Sequence, residues 1–310
     1  MKKNKVYFLG RNQGHSIHKF FPSKIENKRK LEVEAFYSLK TIERTFSMKK
    51  ADILFFRNKP EDTTDQDFNL LSRRIENVDN KLIINDINSF YNYDSKDRSF
   101  KIWQENGLSC PDFISFSNDY INNKRNEMLD RAEQFYKKYK KIIIRTNNET
   151  GSKGLHVIEK KEDLYLAINQ LIIRLDKKTI KSKDTKIICV QYLETENKDN
   201  YNELYRVHIL FDKVLSYYVA TSKKKEFHQA EMKIDDVDKF IEANNRFEKI
   251  LPKIKEKLIS SITSLGNNIG AIEFFMINGE PYFIELNPMW GGEAGRTGFG
   301  NLEMRNYIQS

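Results

Sequence analysis

Short apolar runs and helically spaced apolar positions alternate through the first 90 residues. Residues 6–9 form one such run, followed by a loop that holds Gly10 and Gly14. Across 29–48, Leu31, Ala35, Leu39 and Ile42 recur every three or four positions, the spacing of one helix face. Residues 53–56 and 82–84 read as buried strands, and Phe68, Leu71 and Ile75 mark a helix between them. The order β–α–β–α–β predicts a small parallel sheet.

Beyond residue 90 the pattern changes. Positions 97–106 predict a helix, stopped by Gly107 and soon after by Pro111. Residues 142–144 and 155–158 read as short strands joined by a polar loop over 146–154. A helix over 161–175 and a strand over 187–191 follow, and 194–202 is a charged loop. Residues 205–210 and 214–220 predict a hairpin that turns over Phe211, Asp212 and Lys213. A helical stretch over 235–264, interrupted at Pro252, precedes a final hairpin and a glycine-rich tail. Strands and helices are mixed here, which predicts antiparallel α+β architecture after the α/β start.

Composition narrows the class. A chain of 310 residues buries a large core, and its 39% hydrophobic content argues against wholesale disorder. No apolar run approaches the ~18 residues of a membrane span. The start, MKKNKVYFLGRN, has no signal-peptide pattern. Cys110 and Cys189 are far apart with no metal-ligand spacing, against a disulfide framework or zinc knuckle. The expectation is a cytoplasmic globular protein. The net charge of +9 raises the class of basic nucleic-acid binders. Acids are interleaved nearly everywhere, however, and the densest basic patches, 137–141 and 223–225, are short. A solvated surface with an anionic ligand fits better, so neither a nucleic-acid partner nor a membrane is expected.

Two segments could carry chemistry. In GAIEFFMINGEPYFIELNP, residues 270–288, each strand of a hairpin holds one acid inside an apolar run. A two-residue turn at Asn278 and Gly279 puts Glu273 and Glu285 on opposite faces. A three-residue connection over 278–280 pairs them directly on one face, with Cβ atoms ~5 Å apart and Asn287 beside them. Facing carboxylates and an amide oxygen suit Mg²⁺, and like charges in an apolar sheet call for a cation. The competing reading is an exposed face where the acids meet solvent or lysines, and both stay open. In the second segment, IIIRTNNETGSKG, a strand delivers Arg145 to a loop with Gly151, Ser152 and Gly154. Such a loop lets backbone N–H groups approach an anion, but it lacks the GxxxxGK[ST] pattern, and a glycine-containing hairpin loop is more often just a loop. Arg57, at the end of a strand, could meet a substrate carboxylate or simply solvent. The histidines show no ligand spacing, and no Ser/His/Asp or Cys/His set occurs.

Taken in order, DSKDRSFKIWQENGLSCPDF, the RT…GSKG loop, VQYLET, YRVHILFDKVL and IEFF…FIELNP fall in the sequence and spacing of ATP-grasp enzymes. The chain resembles their glutathione synthetase-like and ribosomal-protein glutamate ligase-like branch over residues 82–300. The resemblance implies an N-terminal α/β domain over 1–95, a central lid lobe over 96–190 and a C-terminal lobe with the metal site over 191–310. It implies that Lys96 and Arg145 meet nucleotide phosphates. Arg145 stands where the family usually has lysine, a planar fork in place of a point charge. The loop 147–154, with Ser152 and Gly154, would cover the phosphates. Gln191, Tyr192 and Leu193 match the adenine linker, Glu194 lies near the ribose position, and Lys223 matches a later basic position. Arg206 would face the transferred phosphoryl group, and Glu273, Glu285 and Asn287 would hold magnesium. Met289 and Trp290 replace a frequent arginine after the Asn-Pro pair. Arg296, in the tail over 290–298, is expected to line the acceptor pocket.

The implied activity is an ATP-dependent carboxylate–amine ligase forming an amide or peptide bond through an acylphosphate, with release of ADP and phosphate. Its cofactors would be ATP and Mg²⁺, two ions, with Mn²⁺ an acceptable substitute. Its partners would be a carboxylate and an amine, an amino acid or peptide among them; a homo-oligomer is compatible with this. The competing classes are a nucleotide-binding protein of the same fold without ligase activity and the nucleic-acid binder above.

Overall fold

The computed structural model describes residues 4–10, 31–36, 50–57, 65–75, 82–149, 154–177, 185–195, 200–223 and 237–288. Its strands form three four-stranded sheets. In the first, β1 (Asn4–Gly10), β2 (Leu31–Phe36), β3 (Ile53–Arg57) and β4 (Leu82–Ile84) are parallel in the order β2-β1-β3-β4. Helix α1 (Asp65–Ile75) buries Leu71 and Ile75 in the same core as Leu54 and Phe56. The helix expected from residue 29 is, over 31–36, a strand instead. Leu31, Val33 and Ala35 alternate with Glu32 and Glu34, which are exposed and form ion pairs with Lys5 of β1. The period-two signal therefore outweighs the helical one.

Helices α2 (Phe90–Asp94) and α3 (Lys96–Glu105) lead into the second sheet. Its strands, β5 (Phe113–Phe116), β6 (Ile142–Thr146), β7 (His156–Ile158) and β8 (Ile187–Gln191), are antiparallel in the order β5-β8-β6-β7. Helices α4 (Asn118–Asn123), α5 (Arg125–Tyr139) and α6 (Lys161–Lys177) complete this part of the chain. Met128, Ala132, Leu164 and Ile168 from α5 and α6 share a dry core with Ile142, Ile144 and Cys189. That burial pushes the Cys189 thiol up to about 12, so it is inert near neutral pH.

The third sheet holds β9 (Asn202–Leu210), β10 (Lys213–Ser222), β11 (Ile269–Ile277) and β12 (Glu280–Asn287) in the order β10-β9-β11-β12, all antiparallel. Helix α7 (Val237–Thr263) runs unbroken through Pro252, where an interruption was expected. Proline deprives the carbonyl four residues earlier of its donor; here both Pro252 and that residue, Glu248, lie on the exposed face of the helix, where the loss is least costly. The opposite face buries Phe247, Ile254, Leu258 and Ile262 in a core with Val207, Phe274 and Phe283. Trp103 of α3 completes that core, its indole N–H donating to the Ser261 carbonyl at 2.7 Å. Among the described residues no helix is long and apolar enough to cross a membrane.

Candidate active site

The hairpin β11–β12 decides where its acids point, and it combines the two registers weighed above. Asn278 and Gly279 form a two-residue turn with φ of 52° and 84°, the left-handed pair of a type I′ turn. From it Ile277 pairs with Glu280, and Phe274 with Phe283. A one-residue bulge at Ile284 then intervenes, so that Glu273 pairs with Glu285 and Ala271 with Asn287. Without the bulge Glu285 would lie opposite Ile272. The companion hairpin β9–β10 uses the same device: a two-residue turn, then a bulge at Leu215, which brings Tyr218 rather than Tyr217 opposite Arg206.

The result is a polar row across all four strands, Tyr218, Arg206, Glu273 and Glu285. Arg206 Nη1 lies 3.0 Å from Glu273 Oε1 and 3.5 Å from the Tyr218 hydroxyl. Asn287 Nδ2 donates to Glu273 Oε1 at 3.3 Å. Above the row, Lys96 at the start of α3 places Nζ 3.5 Å from Glu285 Oε1. Arg145, near the end of β6, adds a third cation close enough to Glu285 to bias its ionisation. Burial alone would raise the Glu285 pKa, but Lys96, Arg145 and Arg206 together hold it below the ordinary carboxylate value. Burial likewise lowers Lys96, against the pull of Glu285, and a positive neighbour in Arg145 lowers it further. His208, one row along, is pushed down to about 3 by burial and by Arg206 and is neutral at pH 7.

Two facing carboxylates and a neighbouring amide are hard oxygen donors, the chemistry Mg²⁺ takes. Among the described residues no cluster of three or more His, Cys, Asp and Glu side chains could hold a metal. Among the described residues, Glu273, Glu285 and the Asn287 amide are donors that could hold such an ion. Each carboxylate already faces a cation, at 3.0 Å for Glu273 and 3.5 Å for Glu285, as expected of like charges that need compensation.

Glu149, a residue the sequence reading passed over, gathers the base of the loop. Its carbonyl oxygen accepts from Lys96 Nζ at 3.1 Å and from Arg145 Nη2 at 2.7 Å. Its buried carboxylate takes Thr146 Oγ1 at 2.7 Å and Arg174 Nε at 3.1 Å. Gly154 closes against this pair at φ 65°, where an added Cβ would lie 2.9 Å from Glu149 Oε2. Glu149 combines local contacts to Arg145 and Thr146 with long-range ones to Lys96 and Arg174, and no local motif marks it.

The structure thus brings Lys96, Arg145, Arg206, Glu273, Glu285 and Asn287 together. Of the other expected site residues, Gly154 packs against Glu149, and the rest of those described make their contacts elsewhere. Gln191 Oε1 accepts from the Asp112 backbone N–H at 3.2 Å. Tyr192 lies under Lys141, whose Nζ is 3.8 Å from the ring centroid, and Glu194 pairs with the same lysine at 3.5 Å. Leu193 is buried. Lys223 is exposed over Tyr201, 5.4 Å from the ring centroid. Arg57 ends β3, but its side chain, like Ser152, Met289, Trp290 and Arg296, lies outside the described residues.

No family model matches the chain, and no curated protein matches it. Solved structures do. D-alanine–D-alanine ligase from Bacillus anthracis, complexed with ATP, aligns at a TM-score of 0.58 with 13% identity over 96% of this chain and 90% of its own. The ATP-grasp ligase PsnB, complexed with minimal precursor, Mg and ADP, aligns at 0.58 with 12% identity over 98% and 97%. L-amino acid ligase from Bacillus licheniformis aligns at 0.59 with 15% identity over 100% of this chain and 76% of its own. The fold is shared over 96–100% of this chain in these three alignments.

Proposed function

We propose that this chain, which has the ATP-grasp fold, is an ATP-dependent carboxylate–amine ligase. The observation that carries the reading is the convergence of Lys96, Arg145 and Arg206 on the facing carboxylates Glu273 and Glu285. Phosphoryl transfer asks a protein for alignment and charge neutralisation rather than a nucleophile, and this cluster offers both. A carboxylate oxygen of the first substrate attacks the γ-phosphorus of ATP, the bond to the bridging oxygen breaks, and ADP departs. The amine of the second substrate attacks the acyl carbon of the resulting acylphosphate. Phosphate leaves with the carbon–oxygen bond pair, and the amine nitrogen gives up a proton.

In this reading Lys96 and Arg145 hold the ATP phosphates, and Arg206 faces the group in transfer. Gln191, Tyr192, Leu193 and Glu194 line the adenosine, with Lys223 a second basic contact. Ser152 and Gly154 belong to the loop over the phosphates, and Arg296 to the acceptor pocket. Glu273, Glu285 and Asn287 would hold Mg²⁺, or Mn²⁺ in its place, which supplies positive charge to the phosphate oxygens when bound. The units of the reaction are 1–95, 96–190 and 191–310. Amino acids or peptides are the proposed substrates, because the neighbouring structures include a D-alanine–D-alanine ligase, an L-amino acid ligase and PsnB complexed with a precursor peptide.

The test is product formation from ATP, Mg²⁺ and pooled amino acids and dipeptides, resolving ADP from AMP, with Glu285→Gln as control. Substrate-dependent ADP and phosphate, lost in the variant, support ligation; AMP and pyrophosphate would refute the acylphosphate route.

A further inference from the structure

Lys96 sits at the first position of a ten-residue helix whose preceding residue, Ser95, gives no side-chain cap. The start of such a helix needs acceptors for its backbone N–H groups and something to fix its direction. Both come from the opposite sheet, through Asn147, two residues beyond Arg145. The Lys96 backbone N–H donates to the Asn147 carbonyl at 3.0 Å. The Asn147 amide nitrogen donates to Asp97 Oδ1 at 3.0 Å and to Ser95 Oγ at 3.3 Å. On its other side Asn147 is sewn to the residue before β8: its N–H donates to the Lys186 carbonyl at 3.1 Å, and its Oδ1 accepts from the Lys186 N–H at 2.8 Å. Lys186 Nζ closes the ring on Asp97 Oδ2 at 2.7 Å. Asn147 is wholly buried, and each of its polar groups is engaged.

We propose that Asn147 is a positioning residue that holds Lys96 in register with the acids, through the ring Asn147–Asp97–Lys186. The inference rests on the proposed function only in taking Lys96 as a phosphate ligand. Asparagine is specific here because it must donate to Asp97 while accepting from the Lys186 N–H. Aspartate keeps the shape and the acceptor but loses the donor and faces Asp97 with like charge. A lysine ammonium displaced by about 1 Å loses much of its value to a phosphate, because alignment carries the effect.

The experiment is a cycle of nucleotide affinities, read by calorimetry with Mg²⁺ and a non-hydrolysable ATP analogue on the full chain, with thermal unfolding in parallel. Asn147→Asp should weaken binding about tenfold, the loss expected when a charge-assisted contact is misplaced. In a Lys96→Met background the same substitution should change affinity less than about twofold, because the backbone anchor survives and only the ammonium is gone. The exchange Asn147→Asp with Asp97→Asn should recover most of the affinity by restoring a donor opposite an acceptor. Lys186→Met, which leaves the backbone bonds intact, repeats the cycle should Asn147→Asp fail to fold. Equal losses with and without the Lys96 ammonium, or unchanged affinity in Asn147→Asp, would overturn the inference while leaving the ligase reading intact. A wild-type chain that binds no nucleotide would overturn both.

Discussion

Removing either partner of the Arg206–Glu273 pair exposes how much of the site's charge is balanced internally. The two charges are 3.0 Å apart, with side-chain exposures of only 9% and 15%. Breaking a pair that deep costs about 3 kcal/mol, chiefly because the survivor stays buried without its counter-charge. Glu273→Gln and Arg206→Met should therefore each lower the melting temperature by about 6 °C, at about 2 °C per kcal/mol for a chain of this size. The double substitution should cost less than either single, about 2 °C or below, because the second change removes the stranded charge left by the first. Differential scanning calorimetry in chelator, without nucleotide, is the assay, since a bound ion would mask the effect by mass action. A double variant that falls by about 12 °C, the sum of the singles, would show that the two side chains act independently and refute the reasoning.

Three further outcomes follow from the same geometry. Deleting Ile284 should leave the chain folded with Glu273 still opposite Glu285, whereas deleting Tyr282 should turn Phe283 out of the core at a cost of about 3 kcal/mol or more; denaturant midpoints separate the two. Gly154→Ala should lower stability by about 1–2 kcal/mol, because φ is 65° and the new methyl meets Glu149 Oε2 at 2.9 Å; chemical unfolding reads it. Glu133 is held down to about 2 by Lys137, Lys161 and Tyr165, which accords with its contacts to α6. Its stabilisation is fully present above the ordinary carboxylate value of 4.5 and is lost as pH falls through about 2, so Glu133→Gln should shift urea midpoints at pH 7 but little at pH 2.

Much of this was legible from local pattern. The strand at 187–191, the hairpins and the acids on them follow from period and turn chemistry over a few residues. The register of Glu285 was legible only as a choice, because a bulge at Ile284 leaves no local mark in FIEL. The strand at 31–36 was hidden because Leu31 and Ala35 serve a helical spacing as well as an alternating one. The ring that holds Lys96 had no signal at all: Asn147 and Asp97 are 50 residues apart, and Lys186 and Asp97 are 89. Polar residues at such separations become partners only once the sheets have formed.

The Glu149 carbonyl has a consequence for how a nucleotide would enter. One neutral oxygen answers both the Lys96 ammonium and the Arg145 guanidinium, much as a phosphate oxygen would. The protein thus carries its own surrogate ligand, and in the proposed reading an arriving phosphate would exchange with it, while Arg145 Nε, buried without a hydrogen-bond partner, offers a further donor. Nucleotide affinity in that reading is the difference between two sets of hydrogen bonds, so weakening the surrogate should tighten binding with no new contact to ATP.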